Sequence, residues 1–435
     1  MRKTSPDERR AAIAATRFGL GARPGEIAEV GRDPLGWLLA QTEPAASPLI
    51  PERPDSTQIQ GDLAWAERVQ GDAEGRRLRA AEAEAETLAR IRHAAGTPAG
   101  FRERWAMLWA NHFAVPPEDF RSEALTGAFV REVVDRHAFD RFEDMAAAAA
   151  RHPAMLIGFD QKSASGPNSP WAGEHGGGLN ENLARETLEL HTLGVGGGYG
   201  QGDVVALARA FTGCTVDDQG YRFDPSRHEP GARRLLGRTF PEGEDQAEAM
   251  VRAAARRPET HAHLARKVAK HFVADRPSPA LVQRLQTALD RSDGSLLALA
   301  HALVTDPDAW TPEQAKLKRP YEHLVSTLRA AAVTPEDGPG LNGWLHAAAH
   351  HPLQPRSPAG ASDDGAVWST PLAVAQRAQL ALNYGHRAPH DLSREFAEDV
   401  LGPLLTARTR NALMSGATRQ EAFALVLMSP EFQRR

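Results

Sequence analysis

The segment from Leu179 to Gly213 reads LNENLARETLELHTLGVGGGYGQGDVVALARAFTG, with apolar residues at helical spacing on both sides of a glycine-rich stretch. This spacing predicts two amphipathic helices. Gly194 favours the end of the first helix, because glycine readily adopts the left-handed conformation that closes helices. Asp203 favours the start of the second helix, where a carboxylate suits the free backbone N–H groups. The segment therefore predicts two helices joined by a flexible turn.

The same helical spacing continues through most of the 435 residues, in which alanine, leucine, arginine and glutamate are frequent. Strand signals are scarce, although residues 217–238 contain few helix formers and suit a short hairpin. No internal repeat with a period of about 20–50 residues is visible, which argues against a solenoid. We therefore expect an all-α fold, built as one multi-helical globular unit over residues 1–435 with little or no sheet.

Three stretches rich in glycine and proline interrupt the helical pattern and predict long loops: residues 43–56, 162–178 and 334–369. Loops of this length are uncommon inside compact proteins and are often functional. Residues 162–178 directly precede the helix that begins near Glu181. We therefore expect this loop to lie over or near that helix.

The composition limits the classes of partner and compartment. Lysine and arginine total 51 against 56 aspartate and glutamate, a net charge of −5, and no long run of one sign occurs. We therefore expect no nucleic-acid partner. No stretch approaches the ~20 apolar residues of a membrane-spanning helix. The single cysteine, Cys214, excludes an internal disulfide, and the N-terminus has no apolar signal-peptide core, so the chain as given predicts a cytoplasmic protein.

The first helix of the opening segment carries a dense polar face. On an ideal helix Asn182, Arg185, Glu186 and Glu189 fall within about 100° of one another, whereas His191 points roughly 140° away from Glu186. Paired carboxylates suit general acid–base chemistry or a divalent cation, and an arginine beside them suits an anionic group. The alternative is an exposed helix face on which arginine and glutamate pair with each other.

A divalent metal is the one cofactor that this face suggests. Because His191 points away from the two carboxylates, and because Leu188 stands where a Glu-x-x-His pattern ending at His191 would need glutamate, the metal would require ligands from another segment. The metal ligands therefore stay open.

Two further groups of residues add candidates. WAMLWANHF, Trp105 to Phe113, ends in Asn111 and His112, for which helix capping is the alternative role. THAHLARKVAKHF, Thr260 to Phe272, places Lys267 between two histidines at four-residue spacing, and KLKRP begins at Lys316. Either basic group could supply a counter-charge, and the alternative for both is a solvated surface.

Together these patterns give a set of candidate site residues. The candidate catalytic residues are Glu186, Glu189 and His191. The candidate substrate-binding residues are Asn180, Asn182, Arg185, Lys267, Lys316, Asn111 and His112.

The Leu179–Gly213 segment resembles the central motif of the "domain of unknown function 1800" family. The resemblance extends over about residues 12–433 through RFGLGARPGE, WANHF, HPAMLIGFD, LARKVAKHFVAD, KLKRP and SPEFQRR. It implies no settled activity, but it does imply a partner, a sulfatase-like protein encoded nearby, and an exported location. It also adds weight to the polar face, since the residues from Asn180 to His191 follow the family pattern.

Two functions remain open from the sequence. The first is an enzyme of unassigned reaction that uses the polar face at 180–191. The second is a non-catalytic partner or assembly protein that uses the same face. The shape around Glu186 discriminates between them, because a concave pocket favours the enzyme and a flat exposed face favours the partner.

Overall fold

Helices account for most of the chain, as the spacing of apolar residues predicts. The computed structural model describes residues 6–43, 50, 53–116, 120–336, 338–385, 395–414 and 418–435. Within these residues the only sheets are two small antiparallel pairs. The all-α prediction is confirmed. No described helix is both long and apolar enough to cross a membrane.

The first half of the chain forms twelve α-helices within the described residues. They are α1 (Pro6–Ile13), α2 (Glu26–Val30), α3 (Pro34–Ala40), α4 (Ser56–Gln70), α5 (Asp72–Gly96), α6 (Gly100–His112), α7 (Phe120–Phe129), α8 (Phe142–Arg151), α9 (Pro153–Gly158), α10 (Pro170–His175), α11 (Asn182–Glu186) and α12 (Gln201–Phe211).

Two β-hairpins follow α12. The first pairs β1 (Cys214–Asp217) with β2 (Gly220–Phe223), and the second pairs β3 (Arg233–Leu235) with β4 (Arg238–Phe240). In the second hairpin both turn residues, Leu236 and Gly237, have positive φ, as the tightest hairpin turns require. Residues 217–238, for which we expected one short hairpin, therefore contribute to two hairpins.

The second half returns to helices. They are α13 (Gln246–Ala255), α14 (Pro258–Phe272), α15 (Pro279–Arg291), α16 (Leu296–Thr305), α17 (Pro320–Ala331), α18 (Gly338–Ala347), α19 (Pro371–Gly385), α20 (Glu395–Leu401), α21 (Ala407–Met414), α22 (Arg419–Met428) and α23 (Pro430–Gln433). Serine followed by proline begins α15 and α23, as at Ser278, whose hydroxyl accepts a hydrogen bond from the Leu281 N–H.

Two apolar clusters form the core and meet at α6. Trp105 and Trp109 on this helix pack edge to face at 5.6 Å in the larger cluster, which extends to α14 and α16. Met107 on the same helix belongs to the smaller cluster, around α17 and α22. Every residue of α17 is buried, including Glu322, so this helix places charged side chains in the interior.

Two of the predicted loops contain helices. Residues 162–178 include the short α10, and residues 334–369 include α18 and a 3-10 turn at Gly365–Trp368. The 334–369 prediction is corrected because Leu341 and Leu345, one turn apart, pack into the smaller core cluster and offset the weak helix propensity of glycine. Residues 44–49 and 51–52 of the predicted loop 43–56 lie outside the described residues.

Candidate functional site

The helix that carries the predicted polar face is not a uniform α-helix. It runs as α11 from Asn182 to Glu186 and continues as a π-helical turn over Thr187–His191. Two threonines bond to backbone carbonyls here, Thr187 Oγ1 to Leu183 O at 2.6 Å and Thr192 Oγ1 to Thr187 O at 2.7 Å. Such bonds compete with the regular helical ladder, and π turns are frequent at functional sites.

The outer side of this helix, which we call the outer face, carries the polar residues as expected. Asn182 is exposed, and Arg185, Glu186 and Glu189 are partly exposed. His191 is buried on the opposite side. The helix thus divides the three candidate catalytic residues, with two carboxylates facing solvent and one imidazole facing the interior.

Most groups of the outer face already have partners within the chain. Asn180 donates to Phe159 O at 2.8 Å and accepts from the Asn182 N–H at 2.8 Å, so its amide holds the backbone entering the helix. Arg185 pairs with Glu181 at 2.8 Å. The Tyr199 hydroxyl donates to Glu189 at 3.2 Å.

Apart from the exposed Asn182 side chain, Glu186 is the exception on the outer face. Its carboxylate forms no hydrogen bond or ion pair with any residue that the structure describes. Partial burial, and next the neighbouring Glu189 charge, raise the pKa of Glu186. The carboxylate is therefore available to a ligand or a partner.

Behind this helix three histidines and a lysine from distant parts of the chain meet, and we call this group the His–Lys cluster: His112, His191, His263 and Lys267. The rings of His112 and His191 lie 6.1 Å apart, and those of His112 and His263 also lie 6.1 Å apart. His112 Nε2 donates to the carbonyl of His191 at 3.0 Å, and His263 Nε2 donates to that of Leu190 at 3.3 Å. The end of α6 and the face of α14 are thus joined to the π turn.

The turn after the π helix must pass close to this cluster. Gly194 has φ +82°, and a Cβ there would lie 2.7 Å from His263 Nδ1. Glycine is therefore favoured at this position for two reasons: it adopts a positive φ without strain, and it leaves room for the His263 ring.

Two ring nitrogens of the His–Lys cluster are buried and unpaired: His112 Nδ1 and His191 Nε2. Because His112 Nε2 carries the donated hydrogen, Nδ1 presents a lone pair. Burial, and then the Lys267 charge, lower the pKa of His191 to about 3 and hold that of His112 well below its usual range. Both rings are therefore neutral at physiological pH, and buried polar atoms without partners are rare in native proteins.

Lys267 is the cation of the cluster. Its side chain keeps partial access to solvent, but its ammonium has no hydrogen-bond acceptor and no ion-pair partner among the described residues. Desolvation lowers the pKa of Lys267 to about 8, with the Asp363 charge opposing this shift and the Arg319 charge adding to it. A cation that is largely desolvated and unpaired costs stability, and such groups concentrate at functional sites.

Asp363, whose charge raises the pKa of Lys267, is held by basic groups. His271 Nδ1 donates to its carboxylate at 2.8 Å, and Arg319 Nη1 lies 3.7 Å away. Lys316 donates to the Asp363 backbone carbonyl and pairs with Asp275. These contacts hold the pKa of Asp363 far below its usual range.

The KLKRP segment is not the solvated surface that was the alternative for it. Lys316 and Lys318 are each 1% exposed, and Arg319 is also buried. Arg319 shares Glu322 with Arg104, whose Nη1 lies 2.9 Å from the carboxylate. Asp275 pairs with Lys316, and Glu322 and Asp363 pair with Arg319, which offsets the burial of these charges. The Lys318 ammonium instead lies 4.1 Å from the centre of the Phe432 ring.

The structure thus sorts the predicted site residues into two groups on opposite sides of one helix. The outer group is Asn180, Asn182, Arg185, Glu186 and Glu189. The inner group is His191, His112, Asn111, Lys267 and Lys316. Asn111, next to His112 at the end of α6, pairs both its amide atoms with the backbone of Ala361, at 2.9 and 2.7 Å.

No sequence motif marked the residues that complete the inner group, above all Asp363. This residue lies in a stretch that predicted only a loop, and the sole local signal was the turn-forming run Ser-Asp-Asp-Gly at residues 362–365. Among the described residues, no group of three or more histidine, cysteine, aspartate or glutamate side chains is placed to hold a metal ion.

Comparison with protein families gives one match, over residues 13–434, to the model described as "Protein of unknown function (DUF1800)". The match covers nearly the whole chain, so the chain belongs to this family. No curated protein and no solved structure matches the chain.

Proposed function

We propose that this DUF1800 protein is an enzyme whose acid–base group is the amine of Lys267. The observation that carries the proposal is the unpaired Lys267 ammonium, partly open to solvent, beside the unpaired ring nitrogens of His112 and His191. A substrate bound there would supply the hydrogen-bond and ion-pair partners that these groups lack within the described residues.

The lowered pKa suits Lys267 to proton transfer. With a pKa of about 8, roughly a tenth of the amine is neutral at pH 7, whereas the ordinary value of 10.5 leaves well under a thousandth neutral. An amine near neutrality can accept a proton and return it, which is the requirement for general acid–base catalysis. Desolvated lysines are used in this way, and also as nucleophiles.

The neighbouring groups have complementary roles. The neutral His112 presents a lone pair at Nδ1 that can accept a hydrogen bond from a substrate hydroxyl or amide. The charge of Asp363, which is fixed by His271, raises the pKa of Lys267 and so stabilises its ammonium form. On the outer face of the same helix, Glu186 and Glu189 remain candidate acid–base groups at the enzyme's surface.

The reactivity of the amine tests the proposal without knowledge of the substrate. The chain has six lysines: Lys3, Lys162, Lys267, Lys270, Lys316 and Lys318. Trace acetylation with isotope-labelled acetic anhydride, read by peptide mass spectrometry across pH, gives the reactivity of each one. We expect Lys267 to react faster than Lys270 at pH 7, with a midpoint near pH 8. A Lys267 that reacts no faster than Lys270 would overturn the proposal.

A second candidate function is a partner surface on the outer face. The specific observation is Val195, which is 80% exposed in the glycine-rich turn that follows the helix carrying Glu186. By family resemblance, the partner would be a sulfatase-like protein encoded nearby. Co-purification of the two proteins, lost in Val195→Asp and kept in Lys267→Met, would support this candidate over the enzyme.

A further inference from the structure

A cavity of about 380 Å³ lies between the end of α18 and the Gly365–Trp368 turn. Its volume falls within the roughly 300–1,000 Å³ of small-molecule sites, and its lining is mainly apolar with a few polar groups, as in such sites. Its lining includes His346, His350, His351, Arg356, Ala361 and Trp368. None of the candidate site residues of the outer face or the His–Lys cluster lines it.

The cavity is held open by fixed backbone contacts. Asn111 at the end of α6 clamps Ala361 through two hydrogen bonds, and the Trp368 indole donates to Ser362 O at 2.9 Å. Gly360 has φ +72°, and a Cβ there would collide with the backbone carbonyl of Asn111. These contacts preform the wall before any ligand arrives, which lowers the entropic cost of binding.

Flat aromatic groups make up much of the lining. The rings of His346 and His351 stack at 4.8 Å with an interplanar angle of 22°. His350 packs against the mostly buried indole of Trp368 at 5.1 Å. Such surfaces suit a planar ring, which stacks favourably on aromatic side chains.

Two polar side chains of the cavity, Arg356 and His350, offer hydrogen-bond donors. Arg356 is exposed and forms no hydrogen bond or ion pair with any described residue. His350 Nδ1 accepts a hydrogen bond from the Tyr321 N–H at 3.1 Å, so its Nε2 carries the ring hydrogen. No residue in the described lining carries a carboxylate. A free guanidinium and a ring N–H without an opposing carboxylate favour an anionic group.

We propose that this cavity binds a small planar organic anion, with its carboxylate against Arg356 and His350 and its ring against Trp368 and His351. The site is distinct from the His–Lys cluster and does not depend on the reactivity of Lys267.

The experiment uses two probes of the same shape, benzoate and the neutral benzamide, titrated into the full chain by calorimetry. We expect benzoate to bind saturably at one site and at least tenfold more tightly than benzamide. Arg356→Gln, a change at an exposed residue, should reduce benzoate affinity about tenfold and remove its advantage over benzamide. Arg32→Gln changes another exposed arginine outside the cavity and should leave both affinities unchanged.

A second variant tests the location of binding. Val367, which is half exposed and lines the cavity, can be replaced by tryptophan to fill it. We expect Val367→Trp to abolish saturable binding of both probes. Equal affinities for benzoate and benzamide, no saturation with either, or an unchanged preference in Arg356→Gln would each overturn the proposal.

Discussion

Replacing Lys267 by methionine should make the protein more stable. Methionine keeps a flexible, unbranched side chain of similar length, so the packing of the stem is retained while the charge is removed. The wild-type ammonium is largely desolvated and has no described hydrogen-bond acceptor, so the fold carries the cost of that charge. A gain in stability on removing a residue is the expected signature of a group kept for function.

The magnitude follows from the pKa. The folded-state pKa of about 8 lies about 2.5 below the ordinary value of 10.5. A pKa difference of one corresponds to ~1.36 kcal/mol, so the charged form is destabilised by ~3 kcal/mol in the folded protein. Partial access of the side chain to solvent reduces this, so we expect Lys267→Met to gain roughly 1–2 kcal/mol at pH 7.

The sign of the pH dependence is fixed by the same shift. Because the pKa of Lys267 is lower in the folded protein than in the unfolded chain, the unfolded chain binds more protons between pH 8 and 10.5. Stability of the wild type therefore rises with pH in that window, and the cost is present in full below it. At pH 10 roughly a quarter of the cost remains, so the advantage of Lys267→Met should shrink accordingly.

Urea unfolding of wild type, Lys267→Met and Lys270→Met at pH 7 and pH 10 measures this. Lys270→Met makes the same chemical change one turn further along α14 and serves as the matched control. Two results would refute this expectation. One is a Lys267→Met variant that is less stable than wild type, and the other is a gain in stability that is as large at pH 10 as at pH 7.

Three further changes give contrasting expectations. Glu186→Gln should alter the free energy of unfolding by less than ~1 kcal/mol, since this carboxylate is partly exposed and unpaired, and a larger loss in urea unfolding would reveal a structural role. Glu322→Gln should lower stability by about 3–5 kcal/mol, because it leaves buried arginines uncompensated, and a thermal midpoint close to wild type would contradict the network. Ala349→Gly should raise stability by about 1 kcal/mol, because Ala349 closes α18 at φ +55°, where glycine lacks the Cβ strain; an unchanged or lower midpoint would count against that backbone conformation.

The helical content, and the two sides of the helix that begins at Asn182, could be predicted from the sequence. Apolar spacing is a local property, and burying one stripe of a helix against any core satisfies it. For that reason Asn182, Glu186 and Glu189 could be assigned to one polar side, and His191 to the other, before the surroundings of either side were known.

The helix in residues 334–369 shows the limit of local patterns. Glycine and proline predicted a loop there, but Leu341 and Leu345 gain enough by burial in the second core cluster to stabilise α18. Propensity is a weak preference that packing overrides. The same packing places Asp363, which no local motif marked, beside His271 and Lys267.

What the sequence determined by itself was which residues are polar within each helix and which side of that helix they occupy. What only the tertiary structure decided was that the ends of α6 and of the π turn meet the face of α14, and that KLKRP is buried against Glu322 and Asp363. These contacts join residues far apart in the chain, and their geometry depends on how the two core clusters pack around α6 and α17. Helical periodicity repeats every turn and carries no information about which helix will be the neighbour, so the His–Lys cluster forms only when the chain folds.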